Sequence, residues 1–151
     1  PDFLRRALAG IADLLDSYCT TGPDGSRWPV EPYFIAHNAP FDFGFLLRRC
    51  WALGICPSFK LPPPSARDGK DYGDTMTLWA GPGNAIGLDR LCRALAIPSP
   101  KADGIDGSQV LDLWLCEKHE TIARYNAADI RAVRACWHRL NWETAGKGAT
   151  P

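Results

Sequence analysis

Two carboxylates in this sequence stand where a carboxylate needs a reason. Asp42 follows the apolar run Tyr33-Phe34-Ile35-Ala36 at the point where a helical pattern begins. That is the carboxyl end of a buried strand, where open α/β sheets place their ligand crevice. Alone, an acid in the first turn of a helix is also explained by the helix dipole. Asn38, four residues earlier, is equally well explained as the cap of that helix. The second carboxylate is Asp129. In the last helical pattern Ile122, Tyr125, Asn126, Asp129, Ala132, Val133 and Cys136 share one face, so Tyr125 and Asp129 project together from a mainly apolar stripe. A tyrosine hydroxyl bonded to an aspartate tolerated at the edge of a core accounts for the pair taken alone. A bound cation is the other account, because cations compensate clustered, partly buried carboxylates.

The remaining polar features are less specific. The stretch Lys101-Ala-Asp-Gly-Ile-Asp-Gly107 lacks the spacing of a calcium loop and reads as a turn, with Lys101 as a phosphate contact. Asp74-Thr75 is most simply a capping pair. Arg48, Arg49, Arg90, Arg93, Arg131 and Arg134 offer further phosphate contacts, but solvated helix faces explain most of them equally well.

The elements that must position these residues follow from periodicity. Residues 2–18 place Phe3, Leu4, Ala7, Leu8, Ile11, Leu14, Leu15 and Tyr18 at helical spacing, with Asp2 as N-cap. Residues 20–32 are turn-rich and read as loop; 33–36 read as a short strand buried on both faces. A tight turn then leads into a helix that Gly54 stops. Residues 56–73, crowded with proline and glycine, read as loop, and 74–79 as a short strand or first helical turn. Leu88, Leu91, Cys92 and Leu95 mark a helix that ends before Pro98. After a loop over 99–107, Ser108 is expected to cap a short helix, and a long helix is expected from Glu117 to Trp142, leaving 143–151 frayed.

A fully apolar strand at 33–36 needs neighbours on both sides for its backbone groups, and only the segment near 74–79 is available. The expectation is a single domain over 1–142 that lacks the N-terminal strands of an α/β sheet. The opening Pro1, followed directly by a helical pattern, points the same way.

Bulk properties bound the rest. The chain of 151 residues is 46% hydrophobic and 23% charged, which suits a globular domain. It contains no run near the roughly 20 apolar residues that cross a bilayer, so no membrane is expected. Net charge is zero, so a polyanion would be held by a local patch or by bound cations rather than by a global field. The six cysteines are dispersed with no C-x-x-C pair. They read as buried, reduced thiols and place the chain in the cytoplasm.

Taken in order, these features resemble one family. Ile35-Ala-His-Asn-Ala-Pro-Phe-Asp42 is similar to the second motif of the DEDD 3′-to-5′ exonucleases, and Tyr125-Asn-Ala-Ala-Asp129 to the tyrosine form of their third motif. Between them, Asp74-Thr-Met-Thr-Leu-Trp79, Gly87-Leu-Asp-Arg-Leu-Cys92 and Ile105-Asp-Gly-Ser-Gln-Val110 resemble the predicted exonucleases related to the proofreading domain of family B DNA polymerases. The family's first motif, Asp-x-Glu, has no counterpart in this sequence.

The resemblance implies a ribonuclease H-like fold, a mixed sheet with flanking helices. It implies hydrolysis by two Mg²⁺ or Mn²⁺ ions about 4 Å apart, with Asp42 and Asp129 as metal ligands and the Tyr125 hydroxyl orienting the attacking water. The two-ion site would be incomplete in this chain. Asn38 and Phe41 would line the pocket for the terminal nucleotide of a single-stranded 3′ end, DNA ahead of RNA. The rival reading is a module of the same fold that binds nucleic acid or a protein without cutting. A third is a phosphohydrolase acting on mononucleotides.

Overall fold

The computed structural model describes residues 2–105 and 107–143, so of the tail expected over 143–151 all but Glu143 lies outside the described residues. These residues form a mixed α/β structure in two units. One unit runs up to Phe34 and includes Ala39–Gly73; the other joins Ile35–Asn38 to the chain from Asp74 onward.

In the first unit the amphipathic pattern folds as helix α1 (Asp2–Ser17). Strands β1 (Thr20–Thr21) and β2 (Arg27–Trp28) then pair antiparallel, with Thr20 opposite Trp28. A loop was expected here. The breakers form the turn of a hairpin too short to show periodicity: Gly25 has φ 80°, and the Asp24 carboxylate accepts from the Ser26 N–H across 3.0 Å. Helix α2 (Ala39–Ala52) ends as expected at Gly54, whose φ of 61° is the left-handed conformation glycine permits. The core of this unit is Leu8, Cys50, Ile55 and Leu61, flanked by Phe34, Leu46 and Phe59.

Strands β3 (Phe34–Ala36) and β4 (Tyr72–Asp74) are neighbours in a second two-stranded sheet. All three residues of β4 are buried. By contrast β3 is not buried on both faces as expected, because Ile35 is 37% exposed and the preceding Tyr33 47%. Two strands of three residues cannot cover both faces of either one. The segment at 74–79, expected as a short strand or first helical turn, is helix from Thr75 onward (α3, Thr75–Ala80), whereas β4 ends at Asp74 and takes Tyr72 and Gly73 from the stretch expected as loop.

The second unit is built on its longest helix. After α4 (Leu88–Ala94) and α5 (Val110–Leu115), α6 (His119–Leu140) packs against α3, α4, α5 and a 3-10 turn at Pro100–Asp103. Leu91, Cys92, Ala132 and Cys136 form the core, with Ile86, Leu95 and Leu140 around it. Helix α6 is shorter than expected at both ends because Glu117 and Trp142 are left-handed, with φ of 56° and 57°. Ser108 does not cap α5. It lies inside a 3-10 turn at Gly107–Gln109, and Gln109 just before the helix already has helical φ and ψ of −86° and −10°, not the extended backbone of a cap.

All six cysteines are free. Cys50, Cys92 and Cys136 are buried as expected, whereas Cys56 and Cys116 are exposed. Among the described residues no helix is long and apolar enough to cross a membrane.

Candidate functional site

The turn after β3 is held by its side chains and by one buried acid. Asn38 takes a left-handed backbone, φ 65°, so it is a turn residue and not the extended N-cap that the sequence also allowed. Its backbone N–H donates to Oδ1 of Asp74 across 3.0 Å. The same oxygen accepts the Met76 N–H across 2.9 Å, which makes Asp74 the N-cap of α3, the capping role read from the sequence. Asp74 and Thr75 are both fully buried.

His37 completes the lock. Its Nδ1 is 2.9 Å from the Thr75 hydroxyl and its Nε2 is 2.8 Å from the Ile86 carbonyl. A carbonyl only accepts, so Nε2 carries a proton. The Thr75 hydroxyl, which meets Nδ1, also donates to the Ala36 carbonyl across 3.3 Å. Sequence reasoning named Asn38 but missed His37 as a support, and it missed the second bond of Asp74. The adjacent doublets His37-Asn38 and Asp74-Thr75 were the available signal.

On α6, Tyr125 and Asp129 lie one turn apart and are both partly buried, on the same face as the buried Ala132 and Cys136. Asn126, placed on that face by the sequence, is exposed. A β-carbon built on Gly107 would lie 3.9 Å from the Tyr125 hydroxyl, so the turn before α5 approaches the phenol. Burial pushes the Cys92 thiol upward, and the Asp89 and Asp129 carboxylates add to the shift.

The Pro100–Asp103 turn that packs on α6 carries Lys101, exposed at the surface. Ser99 caps this turn by accepting the Lys101 N–H across 3.1 Å. The Ser99 hydroxyl in turn donates to Asp89 across 2.6 Å, and Arg93 pairs with the same carboxylate. Ser99 first, then Arg93, hold the Asp89 carboxyl below its ordinary range.

Asn38, Lys101, Tyr125 and Asp129 therefore belong to the second unit. Phe41 and Asp42 belong to the first, on the opening turn of α2, and both are exposed.

Among the described residues no three His, Cys, Asp or Glu side chains gather into a group that could hold a metal ion. Two carboxylates alone do not fit a two-ion centre, whose hard cations each take about six oxygen ligands. No protein family, no curated protein and no solved structure matches the chain.

Proposed function

We propose that the chain carries the second and third motifs of a ribonuclease H-like, metal-dependent 3′-to-5′ exonuclease that acts on single-stranded nucleic acid, DNA in the first instance. The observation that carries this reading is the order His37-Asn-Ala-Pro-Phe-Asp42, Asp74-Thr75, then Tyr125-Asn-Ala-Ala-Asp129.

Local geometry is compatible with the placement of Asp42, Tyr125 and Asp129 in such motifs. Asp42 sits in the first turn of a helix that follows a strand by two residues. Tyr125 and Asp129 share a helix face and are only partly buried. In this reading Asp42 and Asp129 are metal ligands, the Tyr125 hydroxyl orients water, Asn38 and Phe41 line the nucleotide pocket, and Lys101 meets a phosphate. Mg²⁺ or Mn²⁺ would supply water activation and stabilise the leaving oxygen. The ions require carboxylates beyond these two. Six unpaired thiols support a cytoplasmic setting.

One observation favours a second reading. Without three gathered ligands among the described residues, the same fold would hold a nucleic-acid end or a protein without cutting it. Metal dependence separates the two. The test is to incubate the chain with a 5′-labelled single-stranded oligonucleotide and Mn²⁺ beside an Asp129→Ala control. A one-nucleotide ladder absent from the control supports the exonuclease. No ladder in either sample, with binding that weakens only with added salt, replaces it with the binding module.

A further inference from the structure

Asp74 is the most deeply buried acid of the described second unit, with no exposed surface, and the proposed function gives it no role. A carboxylate withdrawn from water is costly unless its oxygens are hydrogen-bonded. If α3 needed only a cap, a serine or threonine in the place of Asp74 would serve about as well. What a shorter cap would not do is reach the Asn38 N–H, which comes from a turn 36 residues away in sequence.

That amide belongs to a residue in a costly conformation. An L-residue at φ 65° is disfavoured, and asparagine tolerates it better than most without being free of the strain. Two adjacent residues at the end of β3 are each gripped by one of two adjacent residues at the start of α3: Asn38 by Asp74, and His37 by Thr75. Thr75 secures His37 through its ring, whereas Asp74 holds Asn38 by its backbone N–H. The direction in which the exposed Asn38 side chain leaves the turn is set by that backbone.

We infer that Asp74 is a positioning residue of the nucleotide pocket, acting through the Asn38 backbone and touching no substrate itself. This inference rests on the reading in which Asn38 meets the terminal nucleotide.

The test uses two variants of the 151-residue chain. Asp74→Ser keeps a favourable cap for α3 but is one bond too short to hold Asn38 as well. Asp74→Asn keeps an acceptor oxygen at the position of Oδ1. The probe is a fluorescein-labelled single-stranded oligonucleotide ending in a 3′-hydroxyl, compared with the same oligonucleotide ending in a 3′-phosphate. Anisotropy with Mg²⁺ present, read before any shortening, gives the ratio of the two Kd values. Wild type is expected to prefer the 3′-hydroxyl end, D74N to stay within about twofold of it, and D74S to lose about tenfold or more of the preference, as misplaced binding groups do. Thermal melting of each protein reports the fold separately. A D74S protein that keeps the preference overturns the positioning role alone, as does a D74N protein that loses it as fully as D74S. A wild-type chain that does not distinguish the two ends overturns the exonuclease reading, and the positioning role with it.

Discussion

One oxygen of Asp74 accepts two backbone N–H groups, Met76 at 2.9 Å and Asn38 at 3.0 Å, and so ties the start of α3 to the turn that ends β3. Asp74→Ala removes the cap, worth about 1 kcal/mol, and leaves the Asn38 amide without this acceptor, at about 1–3 kcal/mol. The expected loss of stability is about 2–4 kcal/mol. Urea denaturation checks it as a fall in midpoint at unchanged slope. A loss below about 1 kcal/mol would show that water replaces the carboxylate, contrary to its burial.

The elements most visible in the sequence were those that bury one face. Helices α1 and α4 follow patterns that include Leu8 and Leu91, both buried, although Phe3, Leu14 and Tyr18 of the first pattern are exposed. The β1–β2 hairpin was invisible because two residues per strand carry no period. The ends of α6 were missed because nothing in Glu117 or Trp142 announces a left-handed backbone. In the candidate site, Tyr125 and Asp129 were legible as a pair because helical spacing alone puts them on one face. The Asn38–Asp74 bond was not, since it joins residues that only tertiary structure brings together.

The phenol of Tyr125 is proposed to orient water, not to bind the nucleic acid. Tyr125→Phe should then leave the affinity for a 3′ end within about twofold while slowing cleavage about 100-fold or more, in the range lost with a proton-handling side chain. Single-turnover cleavage beside equilibrium binding makes the comparison. Equal losses in both would reassign Tyr125 to the binding surface, near the Gly107 turn that approaches its hydroxyl.

Ser99 and Asp89 offer a titration that depends on geometry at the Lys101 turn. The Ser99 hydroxyl and Arg93 favour the ionised carboxylate, so Asp89 is expected to titrate below 3.8 in the folded chain. The sign follows: the stabilisation is present above the ordinary carboxylate range and is lost as pH falls through the lowered value. Ser99→Ala should move the midpoint back toward 3.8. Carbon-detected NMR of the Asp89 carboxyl reads it directly, and an unmoved midpoint would mean that Arg93 alone sets the charge.

The thiols of Cys92 and Cys136 lie 3.7 Å apart with no exposed surface, so neither is open to reagent or to the solvation a thiolate needs. Burial first, then its neighbour Cys92, pushes the Cys136 thiol up from 9.0 to about 12. In the native chain a disulfide-exchange reagent at pH 8 should therefore label the exposed Cys56 and Cys116 promptly and leave Cys50, Cys92 and Cys136 unlabelled until the chain unfolds. The same shift sets alkaline stability. A thiol raised in the folded state keeps its proton while the unfolded chain loses its own, so stability is complete below pH about 9 and declines from there toward pH 12, by at most about 1.4 kcal/mol per unit for each thiol. Cys136→Ala should flatten that decline while lowering stability at neutral pH, because it removes a buried side chain from the core around Leu91 and Ala132. Urea midpoints at pH 7 and pH 10 for both proteins measure the two effects separately, and an alkaline decline as steep in the variant as in wild type would place its origin elsewhere.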